Sequence, residues 1–152
     1  MPRREKIAFI GTGGTISMTF NEKQDGFIPT LSAQDLLDLL PEDCMDNIHV
    51  VDWSHQPSSH YTIRMTADLV ELMKKLVKDG ISGIVLSCGT DSLEEMAYLT
   101  DLLWNYPQPV VFTGSMQPPC RQGSDAIANL TQSIRAASSE SLWGMGVVAC
   151  FQ

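Results

Sequence analysis

The stretch Ile7-Ala8-Phe9-Ile10-Gly11-Thr12-Gly13-Gly14-Thr15-Ile16 decides how the rest of the chain is read. Its short apolar run, bounded at once by glycine, reads as a strand buried on both faces. The three glycines that follow let the backbone turn sharply and approach a ligand closely, where a Cβ would stand in the way. Two threonine hydroxyls and several N–H groups are left at the end of that strand.

Short apolar runs and helical patterns then alternate. Ser32–Leu40 reads as a short helix that starts at a serine N-cap and stops before Pro41. Ile48–Asp52 is a further strand candidate. Thr66–Lys78 is helical, with Leu69, Leu72, Met73, Leu76 and Val77 on one face. Ile84–Leu86 and Val110–Phe112 are strands, Asp91–Trp104 and Ser124–Ala137 helices, and Gly146–Phe151 a last strand. Strands separated by helices of this length predict βαβ units: a three-layer α/β fold, its mostly parallel sheet covered by helices on both faces. The polar stretch Asn21–Thr30, with Gly26 and Pro29, reads as a hairpin or mobile loop. No repeat or low-complexity tract interrupts the pattern. The sequence stops at Gln152 directly after a strand, which would leave an edge unpaired or uncovered. Truncation, or a subunit whose other half is a separate chain, is therefore expected.

With 152 residues, 43% of them hydrophobic, the chain is sized for one compact domain. A formal charge of -8 argues against nucleic acid or an anionic membrane as partner, since both need a basic surface. No apolar run approaches the ~18 residues of a membrane span. The charged start Met1–Lys6 is followed by too few apolar residues for a signal peptide, so the expected compartment is the cytoplasm. Cys44, Cys88, Cys120 and Cys150 are widely spaced, without a C-x-x-C pair, and read as free thiols. His49, His55 and His60 lack ligand spacing and read as surface residues; no metal is expected.

In parallel α/β sheets ligands bind beyond the carboxyl ends of the strands. The Gly11–Ile16 turn fits neither common nucleotide loop. A dinucleotide fingerprint needs a third glycine where Ile16 stands, and a Walker loop needs a Gly-Lys-Ser/Thr ending. A plain glycine turn with a solvated Thr15 remains open. After the Ile84 strand comes Ser87-Cys88-Gly89-Thr90-Asp91-Ser92-Leu93-Glu94-Glu95. Asp91 or Ser92 can cap the helix, with Glu94 or Glu95 closing a capping box. The same carboxylate can instead hold a substrate ammonium, with the Thr90 hydroxyl beside it. After the Val110 strand come Thr113-Gly114-Ser115-Met116-Gln117-Pro118 and then Ser124-Asp125, which can equally be caps. Hydroxyl-bearing glycine turns after three strands, one carrying an Asp, suit a small zwitterion better than a nucleotide.

Together, Gly11–Ile16, Gly89–Glu95, Pro109–Pro118 and Ser124–Leu130 resemble, in order and spacing, the signatures of the bacterial-type L-asparaginase family, on the side of its cytoplasmic type I members. The resemblance covers essentially the whole chain. It implies the family's N-terminal, nucleophile-bearing domain (residues 1–152), flavodoxin- or Rossmann-like, with the C-terminal domain absent. It further implies hydrolysis of L-asparagine to L-aspartate and ammonia. Thr15 matches the nucleophile, Thr90 the second catalytic threonine, and Asp91 the carboxylate that grips the substrate α-ammonium. Ser59 matches the serine that binds the α-carboxylate, in a loop that aligns loosely. Gly14, His60, Gly89 and Ser115 complete the implied substrate-binding set. Backbone N–H groups of the glycine turn and the Thr90 region can serve as an oxyanion hole, and neither step needs a metal or cofactor. Homo-oligomerisation in the full-length protein follows from the family's shared active sites.

Several positions depart from the family pattern. Phe27 stands where a loop tyrosine helps to activate the nucleophile, so Tyr61 or another residue must substitute, or activity is low. Cys88 replaces a histidine, and His60 replaces an amide or acid. The lysine that pairs with the second threonine lies beyond Gln152. A tRNA-dependent amidotransferase subunit with the same threonine site is an alternative, disfavoured by the acidic charge and missing appended segments. So is a non-catalytic aspartate- or asparagine-binding domain, favoured by Phe27, Cys88 and the absent lysine. A nucleotide-binding module is disfavoured by Ile16.

Overall fold

A computed structural model of the chain describes residues 6–42 and 47–152. Cys44 and residues 1–5 of the charged start lie outside them. In chain order the elements are β1 (Ile7–Gly11), β2 (Met18–Asn21), β3 (Gly26–Pro29), α1 (Ala33–Leu37), β4 (Ile48–Asp52), α2 (Ile63–Lys78), β5 (Gly83–Ser87), α3 (Leu93–Leu103), β6 (Val110–Thr113), α4 (Ala126–Ala137) and β7 (Val147–Ala149).

Five strands form one sheet in the order β4-β1-β5-β6-β7, and every neighbouring pair is parallel. β1 and β5 are each flanked by two strands and buried at every residue, which is why they read as unbroken apolar runs. Side chains alternate across the sheet. Ala8, Ile10, Ile84, Leu86, Val110 and Phe112 face α2 and α3, while Ile7, Phe9, Val85 and Val111 face α1 and α4. The predicted three-layer α/β fold is what forms.

Element ends follow local hydrogen bonding. Ser32 opens α1 with a full capping box in which Asp35 plays the acidic partner. The helix stops at Leu37, short of the predicted Leu40. α2 starts at Ile63, three residues before its predicted start, because Thr62 caps it by accepting from Met65 N. α3 and α4 begin two residues later than predicted, since Asp91–Ser92 and Ser124–Asp125 are used elsewhere. Asn21–Thr30 belongs to an antiparallel hairpin, β2 against β3, tipped by the exposed residues Glu22–Asp25.

The edge strand β7 is shorter than the predicted Gly146–Phe151, although Cys150 N still bonds Phe112 O at 2.9 Å. Asp101 of α3 accepts from Val147 N at 3.0 Å and covers one N–H of this strand. Asn129 of α4, wholly buried, ties three segments together. Its amide donates to Gly114 O (3.0 Å) and to Asp125 Oδ2 (2.9 Å), and its oxygen accepts from Gln152 N (2.8 Å).

The sheet core carries the stability. Leu86, with no exposed surface, sits at the centre of the α2/α3 face. Leu86→Ala is expected to cost about 2–5 kcal/mol. A denaturant titration checks this: the midpoint should fall while the slope stays that of the parent.

Candidate active site

The strand order is that of a doubly wound sheet whose order reverses between β1 and β5, and the crevice beyond that point is where such folds bind ligands. The turns after β1 and β5 meet there in backbone contact. A Cβ on Gly14, whose φ is +85°, would run into Gly89 N; one on Gly89 would lie 2.5 Å from Ser58 Oγ. Glycine at both places lets two turns and the Pro57–His60 segment close on one another.

The cleft formed there is lined by Gly14, Thr15, Met18, Pro57, Ser58, Gly89, Thr90 and Asp91, with a volume of about 40 Å³. A larger cavity of about 330 Å³ lies between α2 and α3, but its walls are mainly Tyr61, Ile63, Met96, Tyr98, Leu99 and Leu102. Ser92 and Glu95 also reach it, but Thr15, Thr90 and Asp91 do not.

Hydrogen bonding sorts the polar groups near the cleft into two kinds. Thr12 is buried and its hydroxyl donates to Ser87 O at 2.8 Å. Ser17 donates to Gly14 O at 2.9 Å, and Ser92 to Ser58 O at 2.7 Å. Ser58 Oγ accepts from Asp91 N at 3.1 Å, which fixes the backbone of the Thr90–Asp91 turn. By contrast, the Thr15 hydroxyl, the Thr90 hydroxyl and the Asp91 carboxylate have no partner among the described residues. The two threonines of the first turn are thus unequal: one is structural and the other faces the cleft.

Caps are also resolved. Ser92 occupies the N-cap position of α3 without making a capping bond, and no capping box with Glu94 or Glu95 forms. Ser124 Oγ does accept from Ala126 N at 3.2 Å. The Asp125 carboxylate instead accepts from Met116 N and Gln117 N at 3.0 and 3.2 Å, anchoring the loop after β6. Burial works against ionising Asp125, but these backbone bonds and Asn129 outweigh it and hold the carboxyl below its ordinary range.

The structure therefore gathers Gly14, Thr15, Gly89, Thr90 and Asp91 at one cleft. It does not bring Ser59, His60 or Ser115 there. Ser59 and His60 are exposed in the 3-10 turn Ser58–His60, and the neighbour Ser58 is the serine turned inward. Two adjacent serines in a loosely aligned loop give no pattern by which sequence could choose between them. Ser115 is buried with its hydroxyl donated to Gln117 O at 2.8 Å. Pro57 and Met18 also line the cleft, with no sequence signal beyond proximity.

Two departures acquire a place. Tyr61 stacks on Trp53 at 5.7 Å and donates its hydroxyl to Thr12 O at 2.6 Å, supporting the first turn from beneath rather than lining the cleft. Burial raises its phenol above the ordinary range, against the lowering effect of its hydrogen bonds. Cys88 lies behind the Thr90 turn, fully buried.

A family model described as "Asparaginase, N-terminal" matches residues 6–152. The chain belongs to the asparaginase N-terminal family. An L-asparaginase from Bacillus licheniformis is 36% identical over 150 residues, which are 97% of this chain and 46% of that protein. One of the subunits of a glutamyl-tRNA(Gln) amidotransferase from Methanobrevibacter smithii is 31% identical over 91% of this chain and 32% of its own length. The crystal structure of a probable cytoplasmic L-asparaginase from Campylobacter jejuni superposes with a TM-score of 0.88 at 28% identity, covering 97% of this chain and 46% of that one. The chain spans less than half the length of these relatives. The asparaginase N-terminal fold here presents its glycine turns at the carboxyl edge of a parallel sheet.

Cys88 provides a check on the environment behind the cleft. Burial pushes its thiol up to about 12. At pH 8 it should stay protonated and resist iodoacetamide in the folded protein, whereas exposed Cys120 reacts. Peptide mass spectrometry of the alkylated native chain reads both.

Proposed function

We propose that the chain is the nucleophile-bearing half of an L-asparaginase that hydrolyses the side-chain amide of asparagine. The observation that carries this is the set of three side chains without a partner among the described residues, the Thr15 and Thr90 hydroxyls and the Asp91 carboxylate, gathered on one cleft. In this reading Asp91 pairs with the substrate α-ammonium. Ser58 takes the place of Ser59: its oxygen is occupied by Asp91 N, but its proton has no acceptor among the described residues and can be donated to the α-carboxylate.

Thr15 Oγ1 attacks the amide carbon, and the carbonyl oxygen gathers negative charge. The N–H groups of Gly89 and Thr90, which donate to nothing among the described residues, are the candidate stabilisers; such a donor contributes about 2.7–4 kcal/mol. The C–N bond then breaks and ammonia leaves carrying the threonine proton. An aspartyl ester remains on Thr15, with Thr90 placed to guide the water that cleaves it. Aspartate is released and the hydroxyl restored.

The small cleft supports completion of the site by a C-terminal half and a neighbouring subunit, hence a homo-oligomer. The Campylobacter likeness supports a cytoplasmic setting. Among the described residues no helix is long and apolar enough to cross a membrane.

One observation favours a second reading, an amino-acid-binding domain without turnover. Asp91 is the one titratable side chain lining the cleft, and Tyr61, the substitute base considered from sequence, is bonded to Thr12 O. The acidic charge speaks against the amidotransferase alternative.

Ammonia release from L-asparagine separates the readings when this chain is measured beside a form carrying the C-terminal half of its relatives. Release by the longer form supports the hydrolase. Aspartate binding without release by either supports the binding domain. In the active form Thr15→Ala is expected to lower turnover roughly 10³-fold or more while leaving the fold intact. Asp91→Asn should weaken aspartate binding about tenfold to a hundredfold, the loss of one charge-assisted hydrogen bond, read by calorimetry.

A further inference from the structure

The β2–β3 hairpin starts where the candidate nucleophile ends. Thr15–Ser17 form a 3-10 turn, and Met18 is both the next residue and a wall of the cleft. The far end of the hairpin returns to the same place: Thr30 N and Leu31 N both donate to Ser17 O at 2.9 Å. Thr19 and Thr30 share a hydroxyl hydrogen bond of 2.6 Å. Any displacement of β3 is therefore delivered to Ser17, two residues from Thr15.

A two-stranded hairpin is marginal on its own in water. This one pairs Phe20 with Phe27 edge-on at 5.4 Å, and leaves Phe20 half exposed. The Phe27 ring is then clasped from a distant part of the chain. The Arg121 guanidinium lies 4.8 Å from the Phe27 ring centroid, within the range of a cation–π contact. Arg121 belongs to the loop after β6, which is itself rigidly held: Arg121 N donates to Pro118 O, Ser124 N to Arg121 O, and Asp125 grips Met116 N and Gln117 N.

We propose that Arg121 is a positioning residue that fastens the β2–β3 hairpin through Phe27 and thereby sets the Thr15 segment; this rests on the reading of Thr15 as the reacting group. The contact also gives Phe27 a role that needs no hydroxyl. The ring face, not a proton, is what Arg121 uses.

Amide hydrogen exchange by NMR on the 152-residue chain tests this, with β1 and β5 amides as internal standard. Arg121→Met keeps length and apolar bulk but removes the cation; Arg121→Lys keeps a cation; Phe27→Leu keeps bulk but removes the ring. Exchange of hairpin amides between Thr19 and Ile28 should accelerate roughly two- to fivefold in Arg121→Met and Phe27→Leu, the size expected of one exposed cation–π contact. Arg121→Lys should stay nearer the parent. The Arg121→Met/Phe27→Leu double variant should be no faster than the faster single one. Thr15–Ser17 amide shifts should move with the hairpin. Unchanged hairpin exchange in Arg121→Met, equal acceleration in Lys and Met, additive effects, or uniform acceleration in β1 and β5 would each overturn the clasp. Fixed Thr15–Ser17 shifts would overturn its link to the cleft. Aspartate binding is not read here, so failure of the asparaginase reading leaves this comparison standing.

Discussion

Two glycines in backbone contact, Gly14 after β1 and Gly89 after β5, are the constraint on which the site depends. Strands β1 and β5 are neighbours in register, so their exits lie one strand spacing apart. At that spacing a Cβ on Gly14 would run into Gly89 N, and a Cβ on Gly89 would run into Ser58. Their closeness brings Thr15, the next residue after one glycine, beside Thr90, the next after the other. Ser58 then packs on Gly89 and holds the Asp91 amide, so a third segment is fixed by the same contact. Sheet register, two missing side chains and one serine hold the two turns and the Ser58 segment together.

Around that contact, hydrogen bonds decide which hydroxyls are tied to the scaffold and which are left facing the cleft. Thr12, Ser17, Ser92 and Ser115 all donate to backbone carbonyls. Each such bond removes a turn's freedom to rearrange and removes the hydroxyl from reaction. Thr15 and Thr90 escape because their turns are held by neighbours instead. Tyr61 from below and Ser17 from beyond stabilise the first turn; Ser58 stabilises the second.

The layers were legible in sequence because burial on both faces gives continuous apolar runs, and helix faces repeat with the helical period. Helix starts were less so. At Asp91–Ser92 and Asp125 the short polar residues that usually cap a helix are drawn into bonds with the Ser58 segment and the loop after β6. Both partners are remote in sequence, 33 and 8 or 9 residues away. The glycine turns and Thr90–Asp91 were readable as adjacent motifs. The choice of Ser58 over Ser59 was not, because a 3-10 turn rotates each residue by about a third of a circle and sequence does not set its phase. The clasp of Arg121 on Phe27 was invisible for a similar reason: nothing local links the two.

Asn129 shows how little chemical latitude such a fold leaves at one point. Its amide sends two donors and receives one, each from a different stretch of backbone or side chain. Aspartate has nearly the same shape but no donors, so it would set an anion against the Gly114 carbonyl and against Asp125. Leucine has the volume and would strand the buried Gly114 carbonyl without its donor. Among the twenty side chains, a wholly buried position that must both give and take at this length is filled by one type, and drift there is closed off by polarity rather than by size.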